Sequence, residues 1–363
     1  MAGAALLPFV SFSANRIVNG QSLSLFASAG WVWGGTLAAT LLLTMAAAFA
    51  PSRWRGPAVL VAAIAALGAL LFASGAAAVR LTPAGGTATR VSVGAGAWLV
   101  LAGVGIAWFQ GARATGSRRA SIGAALAAVA LLLGAGFFGG LTATSIAIEY
   151  RNYDGFWLLA WRHVWLSVSG MALGALVGVP LGILSARNKT VRAVVIPVVS
   201  IIQTVPSLAL FGLLMVVLTA VALPSIGTVP TLIALTLYAL LPIVRNTYLG
   251  IAGVDPAIVD AGLGMGMSRS ELLRKVEFPL ALPLIIEGLR SALVLTVGIA
   301  AVMAVAGAMD LGTIIFFGAG SDVTDLVLLG ALPMVVLAIV ADQAMRALEV
   351  AVVSPGIRER QQA

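Results

Sequence analysis

The chain has 363 residues, of which 61% are hydrophobic and only 9% are charged. A soluble domain carries about 25% charged residues, so this composition excludes most soluble classes and predicts a membrane protein. The net charge of +8 is compatible with a nucleic-acid partner, but in so apolar a chain it first indicates membrane sidedness. Cysteine is absent and His163 is the single histidine, which excludes a disulfide framework and a thiolate or multi-histidine metal site.

Nine apolar segments are long enough to cross a bilayer core about 30 Å thick. They predict an all-α, polytopic membrane protein with about nine transmembrane helices. The segments are 31–50, 57–79, 91–110, 120–141, 163–185, 193–222, 230–250, 284–307 and 326–345. The sixth contains Pro206, so we expect either one kinked helix or a helix followed by a re-entrant piece.

Lysine and arginine concentrate in the loops after the odd-numbered spans, which the positive-inside tendency assigns to the cytoplasm. We therefore expect a multi-pass protein of the cytoplasmic (inner) membrane, with its N-terminus outside and its C-terminus in the cytoplasm. The excess of lysine and arginine over acidic residues then indicates membrane lipid as the partner, and no nucleic-acid partner is expected.

The spans fall into two regions. Residues 1–141 hold four spans rich in alanine, glycine and leucine, and they carry almost no polar side chains. A polar and aromatic stretch, 142–162, is expected to be an external linker. A second region follows at 163–350, and 351–363 is expected to be a cytoplasmic tail.

Span five places four glycines, Gly170, Gly174, Gly178 and Gly182, at a strict spacing of four. This spacing puts them on one helix face, where they allow another helix to approach closely. A glycine-lined pore face is the alternative.

Spans six and seven combine prolines with polar side chains. A proline leaves backbone carbonyls without partners, and broken helices at mid-membrane are where transport sites form. Local repair of the kink by hydroxyl groups is the alternative. The candidate translocation-path residues are Gln203, Thr204, Pro206, Ser207, Tyr238, Pro242 and Asn246.

Ionisable residues are scarce in the predicted spans. Glu287 and Arg290 lie three apart in span eight and form a possible gate pair or a neutralised helix end. His163 is expected to be an interfacial residue. Asp310, Asp322 and Asp325 are expected on external loops, either solvated or facing a partner or a cationic cargo.

No grouping of side chains predicts catalysis. The chain has no carboxylate pair, nucleophile set or phosphate-binding glycine loop that one pocket would collect. We expect no catalytic residue, no metal and no cofactor in this chain. The scarcity of ionisable groups at mid-depth argues against an ion-coupled carrier.

The loop after span seven predicts a short helix. Asp255 followed by Pro256 is typical of a helix start, because the acid caps free amide groups and proline fits the first helical position. A helix is expected over Ala257–Leu263, and Gly264 and Gly266 are expected to break it.

A second short helix is predicted immediately afterwards. Ser268, with Glu271 three residues on, is typical of a capping box. This helix is expected to end at Pro279. The pair of helices is either a knob that docks into a partner's groove or an ordinary loop.

The loop 254–279 resembles the EAA motif of permease subunits of ABC importers, Glu-Ala-Ala followed by a spaced glycine and Ile-x-Leu-Pro. Asp260, Ala261 and Gly262 occupy the Glu-Ala-Ala positions, Gly266 the glycine, and Val276–Pro279 the final four. Every spacing is kept, although Asp replaces Glu, Gly replaces Ala, Val replaces Ile and Phe replaces Leu. The ATPase-coupling residues that the resemblance implies are Asp260, Ala261, Gly262, Gly264, Gly266, Ser268, Glu271, Val276 and Pro279.

More narrowly, residues 160–350 resemble permeases of the glycine betaine, carnitine, choline and proline osmoprotectant subfamily, through IIQTVPSLALFG, PTLIALTLYALLPIVRNTYLGI and GVDPAIVDAGLGMGM. The resemblance implies a five-helix type I importer core that passes a small osmolyte inward. It also implies three partners: cytoplasmic ABC ATPase subunits, a second permease that is either the same chain or a different one, and an extracytoplasmic solute-binding protein. ATP and Mg²⁺ are expected on the ATPase subunits. Another amino-acid-like cargo is the alternative, and an ion-coupled secondary carrier is a weaker one.

Overall fold

The computed structural model describes residues 7–15, 20–83, 89–116 and 118–353, with the backbone alone at 118–122. The chain divides into two compact units. The first comprises residues 1–154 with 323–325, and the second comprises 155–322 with 326–363.

The first unit is built on helices that pack around α2. Its elements are β1 (Val10–Ser13), β2 (Gln21–Leu23), α1 (Leu25–Ala47), α2 (Ser52–Leu81), β3 (Arg90–Val93), α3 (Ala95–Thr115), α4 (Arg118–Phe137) and α5 (Ser145–Asn152). Alanines at 63, 66, 73 and 77 of α2 are fully buried, and their small side chains allow α1 and α3 to pack closely against it.

A three-stranded antiparallel sheet also belongs to the first unit. β1 is its central strand, and Val10 lies opposite both Leu23 of β2 and Val93 of β3. The all-α prediction missed this sheet, because its strands are only three or four residues long and β3 is distant from β1 in the sequence.

Two buried polar contacts lie in the first unit. Arg90 pairs with Glu149 at 3.1 Å, and the Ser92 hydroxyl donates to Asp325 at 2.5 Å. Asp325 is buried, so the expectation that it is a solvated loop acid is wrong.

The second unit contains the helices that follow residue 155. They are α6 (Phe156–Arg187), α7 (Lys189–Thr204), α8 (Ser207–Ala220), α9 (Thr228–Ala252), α10 (Pro256–Gly264), α11 (Arg269–Leu272), α12 (Phe278–Val302), α13 (Leu311–Gly320) and α14 (Thr324–Val352). A π turn over Leu273–Glu277 joins α11 to α12, and a 3-10 turn over Met303–Ala306 follows α12.

Seven helices in the described part of the chain are long and apolar enough to cross a membrane. They are α1, α2, α3, α6, α9, the continuous helix from α11 through α12, and α14. The bent pair of α7 and α8 brings the number to eight. The predicted span 120–141 corresponds to α4, whose described apolar part, Gly123–Phe137, is shorter than this criterion requires.

The four glycines of α6 form the contact with α9. A methyl group added at Gly170 would lie 2.5 Å from Leu235 Cβ, and one at Gly182 would lie 2.5 Å from Thr247 Cβ. Ala239 and Ile243 oppose the two glycines between them. The opposing residues of α9 also recur every four positions, so two matched helix faces meet. The packing interpretation of this stripe is confirmed.

Candidate coupling and translocation site

The segment 254–279 folds as its capping residues predict over most of its length. The Asp255 carboxylate accepts the Ala257 amide at 2.9 Å, and Pro256 is the first residue of α10. Ser268 and Glu271 form a reciprocal capping box at the start of α11. These local bonds make the two short helices a defined knob.

The knob presents both polar and apolar groups to its surroundings. Asp260, Ala261, Gly264, Gly266, Ser268 and Glu271 are exposed, while Val276 and Pro279 are half-buried. Met265 is 71% exposed. Gly262 is buried instead, and a methyl group there would lie 2.5 Å from Leu272 Cδ1. Gly262 therefore lets α10 pack against α11.

The expected end of the second helix at Pro279 is wrong. The backbone continues from α11 through the π turn Leu273–Glu277 into α12, and Pro279 lies in the first turn of α12. The wider π turn breaks the α-helical bonding pattern just before the proline, where the missing amide proton costs little.

One ion pair connects this segment to α6 and was not predicted. Glu277 is only 4% exposed and pairs with Arg187, the last residue of α6. The two residues are 90 positions apart in the sequence. Neither residue type is unusual beside a helix end, so no local pattern signals the contact.

The sixth predicted span is a broken helix. α7 and α8 meet at an angle of 107°, with Val205 and Pro206 between them. The Gln203 amide donates to the Tyr238 carbonyl at 3.0 Å, and the Tyr238 hydroxyl donates to the Val205 carbonyl. Two candidate path residues, Gln203 and Tyr238, thus join the break to α9.

The other candidate path residues have more local contacts. Thr204 donates to the Ile201 carbonyl at 2.7 Å, and Ser207 is the half-buried first residue of α8. The Asn246 amide donates to the Pro242 carbonyl at 2.9 Å, one turn earlier in α9.

Glu287 and Arg290 contact each other at 2.9 Å, and Arg290 also binds Asp342 of α14 at 2.5 Å. Asp342 in turn binds Arg346 at 3.1 Å. The possible gate pair is therefore part of a four-residue network between α12 and α14. Its role in gating stays a prediction.

His163 and Asp310 form a buried pair that sequence reasoning missed. Both side chains are 0% exposed, and His163 Nδ1 lies 3.0 Å from Asp310 Oδ2. His163 Nε2 lies 3.0 Å from the Val297 carbonyl. The expectations that His163 is interfacial and Asp310 a solvated loop acid are both wrong, because each satisfies the other inside the helix bundle.

Comparison with known families matches almost the whole chain. Residues 1–147 match "ABC transporter permease YehY, N-terminal domain", and residues 178–353 match "binding-protein-dependent transport system inner membrane component". Similar proteins match about half of this chain. The carnitine transport permease protein OpuCD of Listeria monocytogenes is 40% identical over 198 residues, which cover 54% of this chain and 86% of that protein.

This chain belongs to the ABC importer permease family. The glycine betaine/carnitine/choline permease OpuCD of Bacillus subtilis is 41% identical to this permease, over 55% of this chain and 86% of the relative. The osmoprotectant import permease OsmW of Salmonella typhimurium is 40% identical to this permease, over 55% of this chain and 93% of the relative.

A solved chain of the MetNI methionine ABC transporter, in an inward-facing conformation, is 24% identical to this permease with a TM-score of 0.48. It covers 55% of this chain and 98% of that one. The family match and the helices of the second unit confirm the predicted permease fold, with an additional N-terminal region matched by its own family.

Proposed function

We propose that this permease is the membrane subunit of an ATP-driven importer that passes a small osmolyte from a binding protein across the membrane. Betaine, carnitine and choline are the expected cargo class, because several relatives at about 40% identity carry these solutes in their names. The observation that carries the proposal is the knob formed by α10 and α11, which keeps the spacing of the EAA motif and is largely exposed.

The knob is the proposed docking surface for a cytoplasmic ABC ATPase. Its exposed Met265 and Leu263 provide apolar contact area, and Asp260 and Glu271 add charge at its surface. ATP and Mg²⁺ belong to that partner in this proposal. The capping bonds keep the knob rigid, so that a push from the ATPase moves α12 rather than deforming the knob.

The proposed translocation path runs beside the break between α7 and α8, in an assembly with a second permease. Support comes from the 107° bend and from the half-buried Ser207 beside it. Non-helical backbone at membrane depth is tolerated where protein or a water-filled cavity surrounds it. In the proposed orientation the knob and the C-terminus are cytoplasmic, and α13 lies toward the outside.

The buried pair His163–Asp310 does not favour the ion-coupled alternative. An ion-coupled carrier needs a group that exchanges its ion with water during the cycle. Both side chains are 0% exposed, and both ring nitrogens have protein partners. The pair is therefore better explained as part of the permease scaffold.

Coupling is tested by co-expressing the permease with its cognate ABC ATPase and purifying the complex. Gly266 has φ +83°, so Gly266→Arg strains the turn between the two short helices and adds bulk to the knob. We expect most of the ATPase to be lost from the complex. Gly116→Arg is the matched control, because Gly116 also has positive φ with open space around it but lies outside the knob. Equal ATPase recovery with both variants would refute docking at the knob.

The orientation is tested with single cysteines, which the cysteine-free chain allows without other changes. Ser270→Cys lies on the knob and Ser321→Cys follows α13, and both serines are exposed. We expect an impermeant maleimide added to intact spheroplasts to label residue 321 and to reach residue 270 only after lysis. The reverse pattern would invert the proposed topology.

A further inference from the structure

The proton count of the His163–Asp310 pair follows from its hydrogen bonds. A backbone carbonyl only accepts, so the contact of Nε2 with the Val297 carbonyl requires a proton on Nε2. The contact of Nδ1 with Asp310 Oδ2, at 3.0 Å, requires a second proton between those two atoms. The pair therefore holds two protons, either as imidazolium and carboxylate or as neutral imidazole and carboxylic acid.

The surrounding helices favour the ionised form. Asp310 is the N-cap of α13, and its Oδ1 accepts the Gly312 amide at 2.8 Å, so the carboxylate lies at the positive end of that helix dipole. On the other side of the ring, the Val297 carbonyl oxygen of α12 presents its partial negative charge to Nε2 at 3.0 Å. An imidazolium here donates to a carboxylate on one side and to a carbonyl on the other, and the pair as a whole is neutral.

The same contacts tie three elements together. His163 belongs to α6, Val297 to α12, and Asp310 begins α13. A turn further along α6, the Thr296 hydroxyl donates to the Ser167 carbonyl at 3.0 Å. The polar contacts between α6 and α12 are therefore repeated at successive turns, and Asp310 extends them to α13.

The turn before α13 has a backbone conformation that is rare outside glycine. Met309 has φ +49°, a conformation that side chains other than glycine rarely adopt, and its neighbour Asp310 is held by His163. Such a residue persists only where the surrounding structure fixes it. The start of α13 also lies very close to α12, because a methyl group added at Gly312 would lie 2.0 Å from the Ala301 carbonyl oxygen.

We propose that His163 and Asp310 form an ionised clasp that makes α13 move with α6 and α12 as one body. The residues are positioning residues, and they act on transport through the placement of α13. The part of this proposal that concerns movement rests on the proposed function, since it assumes that the permease alternates between two states driven by ATP.

Ionisation is tested on the unmodified permease. His163 is the single histidine, so ¹⁵N-histidine labelling reports this ring alone. We expect solid-state NMR to show protons on both ring nitrogens. In Asp310→Asn the amide group donates to Nδ1 while its oxygen keeps the Gly312 amide, so the ring becomes neutral and only Nε2 stays protonated. A neutral ring in the unmodified protein would overturn the ionised assignment.

Positioning is tested by spin labels on exposed residues of two helices, Trp161→Cys on α6 and Phe317→Cys on α13. In the detergent-solubilised permease we expect a narrow distance distribution for the parent and for Asp310→Asn, and a shifted or broadened one for Asp310→Ala and His163→Phe. Asp322→Asn is the matched control, because it removes an equal charge from an exposed position with φ +55°, which asparagine tolerates.

An Asp310→Ala distribution identical to the parent's would overturn the clasp. In the assembled transporter we further expect the parent distance to be unchanged between nucleotide-free and ATP-trapped states, and a state-dependent parent distance would overturn the single-body part. The detergent measurements require neither ATPase nor cargo, so they remain valid if the proposed importer function fails.

Discussion

Gly174→Ala tests the matched faces of α6 and α9 at a single pair of atoms. The added methyl group would lie 2.7 Å from Ala239 Cβ, whereas carbon atoms in contact normally lie about 3.5–4.0 Å apart. The next nearest atoms, of Ile243 and Thr236, are at an ordinary 3.4 Å. The clash therefore has one source, and the helices must separate locally by about 1 Å. Overpacking of this kind costs about 1–3 kcal/mol in the free energy of unfolding.

The single source of the clash allows a compensating change. Ala239→Gly removes the opposing methyl group, so the double variant moves that group from α9 to α6 and restores the contact. We expect Ala239→Gly alone to cost about 0.5–1 kcal/mol, and the double-mutant cycle to show about 1–2 kcal/mol of favourable coupling. Gly298→Ala on α12 is the control for helix propensity, because nothing lies within 4 Å of the added group. It should be neutral or stabilising.

The assay is reversible unfolding of the purified permease in mixed micelles, followed by circular dichroism as the denaturing detergent fraction rises. All four variants are measured against the parent. If Gly174→Ala is as stable as Gly298→Ala, or if the cycle shows no coupling, the close contact of the two faces is refuted.

The same unfolding assay checks two further contacts. Tyr238→Phe removes the hydroxyl bond to the Val205 carbonyl, and we expect a loss of about 0.5–1.5 kcal/mol; an unchanged midpoint would mean that this bond does not hold the helix break. Glu277→Gln leaves Arg187 without its carboxylate, and we expect a loss of about 1–3 kcal/mol, below that of a fully buried pair because Arg187 is 31% exposed. Lys275→Gln, which breaks an exposed pair, should leave the unfolding midpoint almost unchanged, and equal losses in the two variants would contradict the burial argument.

Local features were predictable wherever neighbouring residues determine them. The caps at Asp255 and Ser268 bond to amides two or three residues away, and the glycines of α6 repeat with the helical period, so a short stretch of sequence contains all of the information. Apolar length likewise indicated most of the membrane helices.

Contacts between distant residues were not predictable in this way. Arg187 and Glu277 are 90 positions apart, and His163 and Asp310 are 147 apart. From the sequence alone, His163 is expected at the membrane interface and Asp310 on an external loop, because an isolated charge is costly inside a membrane. That assumption fails when a partner from another helix neutralises the charge. The roles of Gln203, Ser207 and Asn246 in a translocation path stay predictions, because the described contacts explain their positions without a cargo.

The π turn at Leu273–Glu277 fixes the rotational phase between the knob and the membrane part of α12. A π turn holds one residue more than the α-helix that it interrupts, so it acts as an insertion that the helix has absorbed. Because the π turn absorbs that residue, losing it would return the segment to regular α-helix with the two flanks nearly in phase, whereas losing one residue from the regular part of α12 would rotate one flank against the other by about 100°. The face of α12 that packs against α9 would then turn away from it. The π turn therefore lets the chain carry one additional residue between the knob and the bundle while the two stay in register.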